Sequence, residues 1–192
     1  NGLVARFPEM GAVGHAPNEP GLVHRIDNQT SGLVLAARTT RAFVALVDAL
    51  TSGQLHKTYR LWCLDRDLPD AGTISAALAP AGDRVVVASD GSPRETSYRV
   101  LARVGGAAFV EAAAARAFRH QVRAHFASLG CPLVNDTRYG APADDRLAPG
   151  RHALHAAGIA WRGDDELPEL AVSAPVPSDL EALGDQSPPC PK

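Results

Sequence analysis

The densest run of chemically capable residues is His24-Arg-Ile-Asp-Asn-Gln-Thr-Ser-Gly32. It sets the carboxylate of Asp27 two positions after Arg25 and just ahead of an apolar stretch, Gly32–Arg38. An arginine nearby keeps a carboxylate ionised, and an ionised, partly desolvated carboxylate can act as nucleophile or base. The same segment also suits an Asx-turn in which Asp27 bonds neighbouring backbone amides, and both readings stand on these residues alone. Tyr59, in the alternating run KTYRLWCL, is either an aromatic platform in a pocket or a core residue with a satisfied hydroxyl. Arg123 follows Arg119 by one helical turn and reads equally as a surface ion-pair partner. His152-x-x-His155 has metal-ligand spacing, yet neither it nor His120 and His125 keeps company with clustered Cys or acids. Packed or capping histidines and no metal are the expectation.

These residues need elements to hold them. Gly32–Arg38 predicts a short buried strand. The hydroxyls of Thr39 and Thr40 are N-cap candidates for a helix whose apolar positions Phe43, Leu46, Val47 and Leu50 recur at three and four, with Gly53 as its stop. Lys57–Leu64, Arg84–Ser89, Glu95–Val104 and Ala107–Ala114 predict strands, with Asp65–Gly72 a loop and Gly105–Gly106 a hairpin turn. Arg119–Leu129 predicts a short helix closed by Gly130. Ala153–Trp161 and Leu170–Ala174 are weaker strands, and Ser178–Leu183 a short helix. Residues 1–20 read as irregular after one helical turn at Leu3–Phe7, and the terminal SPPCPK as disordered. Successive strands with scattered helices predict an α+β domain on a mixed, largely antiparallel sheet.

Composition limits the classes available. The 192 residues suffice for one globular domain with a real core, and at 5% aromatic content that core rests on aliphatic side chains. No stretch approaches the roughly 20 apolar residues of a membrane span. Cys63, Cys131 and Cys190 are odd in number, widely spaced and never paired as C-x-x-C, so neither a disulfide framework nor a structural zinc site is expected, and a reducing cytoplasm is. A formal net charge of −2 argues against a nucleic-acid partner until it is resolved along the chain. Residues 1–162 carry +4 and residues 163–192 carry −6, so an acidic tail hides a basic body rich in arginine.

The run at His24–Gly32 also resembles the signature H-R-(L/I)-D-x-x-T-S-G-L of the RluA-type pseudouridine synthases. HKTYR at His56–Arg60 is similar to the family's Lys-x-Tyr strand. Arg119–Gly140 resembles its H-Q-(I/L)-R-x-H block ending in Y-G, and His152–Trp161 its L-H-A strand. The four blocks occur in family order and span about residues 21–161, and an ordered set is far more specific than any one motif. The resemblance implies a pseudouridine synthase fold over residues 1–192 as one catalytic domain, with 163–192 an acidic C-terminal segment. It implies isomerisation of a uridine in structured RNA, ribosomal or transfer: the N1–C1′ bond breaks, the base rotates and a C5–C1′ bond forms. Asp27 would be the nucleophile, adding at the base or at the sugar's anomeric carbon, or acting through a glycal. Tyr59 would lie against the flipped base and serve as general base in the sugar-proton step, and Arg123 would hold Asp27 ionised. A pocket for a flipped base also needs cations along the backbone path. Arg25, Arg38, Arg41, Lys57, Arg60, Arg116 and Arg119 are the candidates for phosphate contact, with His120 and Gln121 beside them; His24 and His120 are candidate hydrogen-bond donors lining the pocket. No cofactor, metal, membrane or obligate protein partner is implied. An RNA-binding protein that keeps the scaffold without the activity is the alternative. The chain departs from the pattern at Ala117-Phe118-Arg119, where most members read G-R-T, and at Asn135 in place of a glycine. It also shows neither the strand with a K-P-x-G motif that usually precedes the catalytic loop nor a basic module of the S4 type, which would leave a sheet edge open.

Overall fold

The computed structural model of the chain describes residues 2–116 and 118–185; Ala117 and the terminal SPPCPK lie outside them. After a short helix α1 (Gly2–Arg6) and a 3-10 turn (Pro8–Ala12) come strand β1 (Ser31–Gly32), helix α2 (Thr40–Ser52) and strands β2 (His56–Leu64), β3 (Ala71–Ala81), β4 (Arg84–Val87), β5 (Ser92–Val104) and β6 (Ala107–Ala114). Helix α3 (Gln121–Ser128), a 3-10 turn (Thr137–Tyr139), strands β7 (Leu154–Trp161) and β8 (Leu170–Ser173) and helix α4 (Ser178–Glu181) complete the chain. The strands form one sheet in the order β1-β7-β2-β6-β5-β3-β4, with β8 also on β7. Among the described residues, β1 runs parallel to its neighbour and the other pairings are antiparallel. The mixed, largely antiparallel α+β architecture is the one expected.

Local chemistry accounts for most elements. The Thr39 hydroxyl accepts the Ala42 N–H, and Gly53 closes α2 at φ +82, a left-handed backbone that glycine takes without a Cβ penalty. Strand β6 alternates half-buried and buried positions along its whole length, as a strand packed on one face must. On that packed face, Leu61, Tyr98, Val110 and Ala112 meet Val122 and Phe126 of α3. Lys57 and Ile159 are register partners and so face the same side, where Ile159 and Trp161 pack against Phe43, Leu46 and Ala49 of α2. The two helices therefore share one face of the sheet. Among the described residues, the opposite face is covered at one end, where Trp62 and Phe109 pack under Val134, Leu147, Leu180 and Leu183.

Three expectations need correction. Gly32–Arg38 is not a sheet strand beyond Gly32. Gly32 sits at φ +113, and beyond it the chain folds back on residues 21–23: Val23 N–H donates to Leu35 and Ala37 N–H to Gly21. Leu33 and Leu35 still bury against the α2 cluster, which satisfies the apolar pattern without a strand. Ala71–Ala81, partly assigned to a loop and otherwise unassigned, is an 11-residue strand. Its run AGTISAALAPA has one β-branched apolar residue, so β3 is held by pairing to β5 and β4 rather than by propensity. Helix α3 starts at Gln121, not Arg119, because His120 adopts the left-handed conformation (φ +54) just before it.

Gly32 makes a sharp prediction. A Cβ there would lie 2.2 Å from the Ala156 carbonyl oxygen, on a backbone conformation closed to other residues. Gly32→Ala is expected to lower stability by about 3 kcal/mol, read as a reduced urea midpoint at unchanged m-value.

Candidate active site

Between α2 and α3, on their shared face of the sheet, lies a cavity of about 340 Å³, within the size range of small-ligand pockets. Its walls include His24, Arg25, Asp27 and Thr30 from the loop before β1, and Lys57 and Tyr59 from β2. Arg119 and His120 just before α3, and Gln121 and Arg123 in its first turn, close it. The three residues singled out for chemistry thus meet in one place, from segments up to 96 positions apart.

Arg123 organises the centre. Its Nε and one terminal nitrogen donate to the two carboxylate oxygens of Asp136 at 2.7 and 2.8 Å, while the other terminal nitrogen donates to Oδ2 of Asp27 at 2.9 Å. Arg123 is 5% exposed and Asp136 2%, so this is a buried fork spanning two carboxylates and not a surface pair. Burial opposes the charge, but the hydrogen bonds and charges of Asp136 and Asp27 outweigh it and raise the guanidinium above its ordinary range. The Tyr139 ring lies 4.9 Å from the guanidinium carbon, completing the enclosure.

The Asx-turn reading of Asp27 gives way to this pair. Its backbone carbonyl, not its carboxylate, accepts the Thr30 N–H. Arg123 and, at 3.7 Å, His120 Nε2 both face Oδ2. Among the described residues no hydrogen bond reaches Oδ1, which leaves that oxygen as the one available to a ligand.

The loop bearing Asp27 is fastened to β7. Thr30 Oγ1 lies 2.8 Å from His152 Nε2, and Ser31 Oγ lies 2.9 Å from His155 Nδ1. The two histidines with ligand-like spacing therefore hold hydroxyls. Burial, followed by the charges of Arg123 and Arg151, lowers His152 to about 3, so it is neutral. Arg151 adds a clamp, donating to the carbonyls of Gln29, His152 and Leu154 and to the Ser31 hydroxyl. Among the described residues, no group of three or more His, Cys, Asp or Glu could hold a metal ion.

The two side chains from β2 are both shifted. Burial, then the charge of Asp27, raises the Tyr59 phenol to about 12. Burial lowers the Lys57 ammonium to about 8, and Lys57 has no hydrogen-bond or ion-pair partner among the described residues. His24, expected as a donor into the pocket, is turned inward: its Nε2 accepts the Leu35 N–H at 3.2 Å, and its Nδ1 faces the Arg25 carbonyl.

The residues expected at RNA divide sharply. Arg25, Lys57, Arg119, His120 and Gln121 line the cavity. Arg38 and Arg41 do not: Arg38 pairs with Glu9 and stacks on Phe7, and Arg41 pairs with Glu166. Arg60 does not either, since it alternates to the other face of β2 from Tyr59 and pairs with Glu111. Gln121 touches the cavity, but its amide is committed to the fold, accepting from Phe118 N–H and donating to Glu95 and Thr96. Asp136, Arg151 and Tyr139 received no role from the sequence. Asp136 and Tyr139 stood in plain view inside the quoted Arg119–Gly140 block, which was the available signal.

The chain belongs to the RNA pseudouridylate synthase family: the family's sequence profile matches residues 11–128. It is 36% identical over 188 residues to an uncharacterized RNA pseudouridine synthase of Chloroflexus aurantiacus, covering 95% of this chain and 58% of that protein. It is 34% identical over 197 residues to ribosomal large subunit pseudouridine synthase D of Xanthomonas campestris pv. campestris, with the same coverages, 95% and 58%. The chain thus spans 58% of the length of these curated relatives. Its fold matches that of human RNA pseudouridylate synthase domain containing 1, with TM-score 0.71 at 24% identity over 94% of this chain and 75% of that one. Human RNA pseudouridylate synthase domain containing 4 matches with TM-score 0.68 at 21% identity, over 83% and 72% of the two chains.

Proposed function

We propose that the chain is an RNA pseudouridine synthase that isomerises a uridine of structured RNA, ribosomal or transfer, with Asp27 as nucleophile. The observation that carries this reading is the Asp27–Arg123–Asp136 fork at the wall of a cavity floored by Tyr59. The base must leave the stack to be rotated, and a walled cavity with an aromatic side is what a flipped base requires. Oδ2 of Asp27 is anchored, so Oδ1 is the attacking atom, aimed by the fork. Tyr59 offers its ring to the base and a protonated hydroxyl as donor. Its service as a base in the sugar-proton step requires that bond formation first discharge Asp27, since that carboxylate's charge is one of the two causes keeping the phenol protonated.

A group of cations without carboxylate partners at the cavity mouth suits an RNA backbone. Arg38, Arg41, Arg60, Arg99, Arg103, Arg146 and Arg151, none of them lining the cavity, each pair with a carboxylate. Arg25, Lys57 and Arg119 at the cavity have no such partner among the described residues. The same holds for Arg84, whose carbonyl Arg119 bonds, for Arg94 and Arg116 on a second groove of about 790 Å³, and, away from both, for the exposed Arg6, Arg66 and Arg162. Arg116 and Arg119 bond backbone carbonyls, which hold a guanidinium in place without neutralising it. The names of the relatives make large-subunit ribosomal RNA the first substrate to try.

The test is release of tritium from C5-labelled uridine in transcribed ribosomal and transfer RNA. Release matched by pseudouridine in the product is expected; RNA binding without release would instead assign the chain to the inactive alternative. A second prediction follows from Lys57. Its ammonium loses its proton as pH rises through about 8, while the arginines stay charged. The slope of log affinity for RNA against log salt is therefore expected to fall by about one between pH 7 and pH 9, and to stay constant in Lys57→Gln.

A further inference from the structure

His120 is the imidazole at the cavity whose outward nitrogen is not spent on the fold. Its Nδ1 lies 2.9 Å from the Tyr139 hydroxyl, and that hydroxyl oxygen also accepts the Val85 N–H at 2.9 Å. A phenol has one proton to give and one good in-plane lone pair. A backbone N–H can only donate, so it takes the lone pair, and the phenol proton must go to Nδ1. A neutral imidazole that accepts at Nδ1 carries its hydrogen on Nε2. That Nε2 lies 3.7 Å from Oδ2 of Asp27, too long for a direct hydrogen bond and close enough that a ligand against Asp27 meets both. The ring is edge-on to Tyr139, and its backbone is left-handed at the entry to α3, so its direction is set from two sides. The groups around it agree with a neutral ring: burial and the charges of Arg119, Arg123 and Arg138 oppose a second proton and outweigh Asp27, which favours one.

We propose that Tyr139 is a positioning residue that locks His120 in the Nε2–H form, and that this N–H donates to a uracil carbonyl oxygen as the N1–C1′ bond breaks. The inference rests on the synthase reading above. Whether Asp27 adds at the base or the sugar, the electron pair of that bond passes to the uracil ring and spreads onto its carbonyl oxygens. A neutral donor stabilises this charge and keeps its own proton, so the freed ring is not trapped by protonation before C5 attacks C1′.

The experiment uses the full chain, with ¹⁵N-labelled histidine for NMR and a C5-tritiated large-subunit ribosomal RNA transcript for kinetics. At pH 7 the His120 ring is expected to show a protonated Nε2 and a bare Nδ1, and Tyr139→Phe to give a mixture of tautomers. His120→Asn tolerates the left-handed backbone, but its amide stops at the level of Nδ1. It should lower kcat about 10²- to 10³-fold with KM changed less than about threefold. In His120→Gln the amide reaches the Nε2 position and should recover at least about tenfold, while Tyr139→Phe should lose about tenfold. Melting curves show which variants are folded. A protonated Nδ1 or a charged ring in the wild type overturns the lock, and unchanged kcat in folded His120→Asn overturns the donor role. A wild-type protein that releases no tritium from any RNA overturns the synthase reading and the donor role with it; the NMR result then decides the lock alone.

Discussion

Asp27→Asn is expected to abolish tritium release, by a factor on the order of 10⁴ or more, while the protein stays folded and binds RNA within a few-fold of wild type. The amide that replaces the carboxylate has the same size, and its oxygen can still accept from Arg123, but it offers no nucleophilic oxygen. Arg123 keeps its two bonds to Asp136, so its charge is not stranded. The cations at the rim are untouched, which is why binding should survive. Melting temperature, RNA affinity and tritium release together separate this outcome from simple unfolding. Full activity in the variant would remove Asp27 from the chemistry.

Arg123→Met should be costly in a different way. Two carboxylates lose their common partner, and one of them, Asp136, is 2% exposed with both oxygens turned to Arg123. Stranding a buried charge typically costs about 3–5 kcal/mol, which at about 2–4 °C per kcal/mol lowers the melting temperature by roughly 10 °C. Activity should vanish as well, because nothing then aims Asp27. Arg123→Lys should rescue neither property, since one ammonium cannot reproduce a planar fork with three bonds to two carboxylates. The pair Arg123→Met with Asp136→Leu should regain most of the stability and none of the activity. Calorimetry and the tritium assay check both halves.

Where the fold was legible in the sequence, one local rule was enough. Helix α2 announces itself through Thr39, the three-and-four spacing of Phe43, Leu46 and Leu50, and Gly53. The hairpin between β5 and β6 announces itself through Gly105 and Gly106, at φ +58 and +80. Legibility ended where distant partners decide. Strand β3 exists because β5 and β4 flank an alanine-rich run that would not choose extension alone. The apolar stretch Leu33–Ala37 looked like a strand because burial on α2 leaves the same pattern as burial in a sheet.

The site divides the same way. Asp27, Tyr59 and Arg123 were visible as members of ordered motifs, but the fork that joins Arg123 to Asp136 was not, since spacing does not say which carboxylate a guanidinium meets. Arg38 and Arg60 looked available for RNA because Glu9 and Glu111, which neutralise them, stand 29 and 51 positions away. Charge along a chain counts arginines; only the fold shows which remain unpaired.

The central claim is that this chain makes pseudouridine in RNA through Asp27. Its most direct test is single-nucleotide pseudouridine mapping of total RNA from cells with the gene, without it, and with it restored as wild type or Asp27→Asn. The prediction is at least one ribosomal or transfer RNA position that loses pseudouridine with the gene, regains it with the wild-type copy and stays unmodified with Asp27→Asn. Identical maps in all four strains, or restoration by Asp27→Asn, would contradict it.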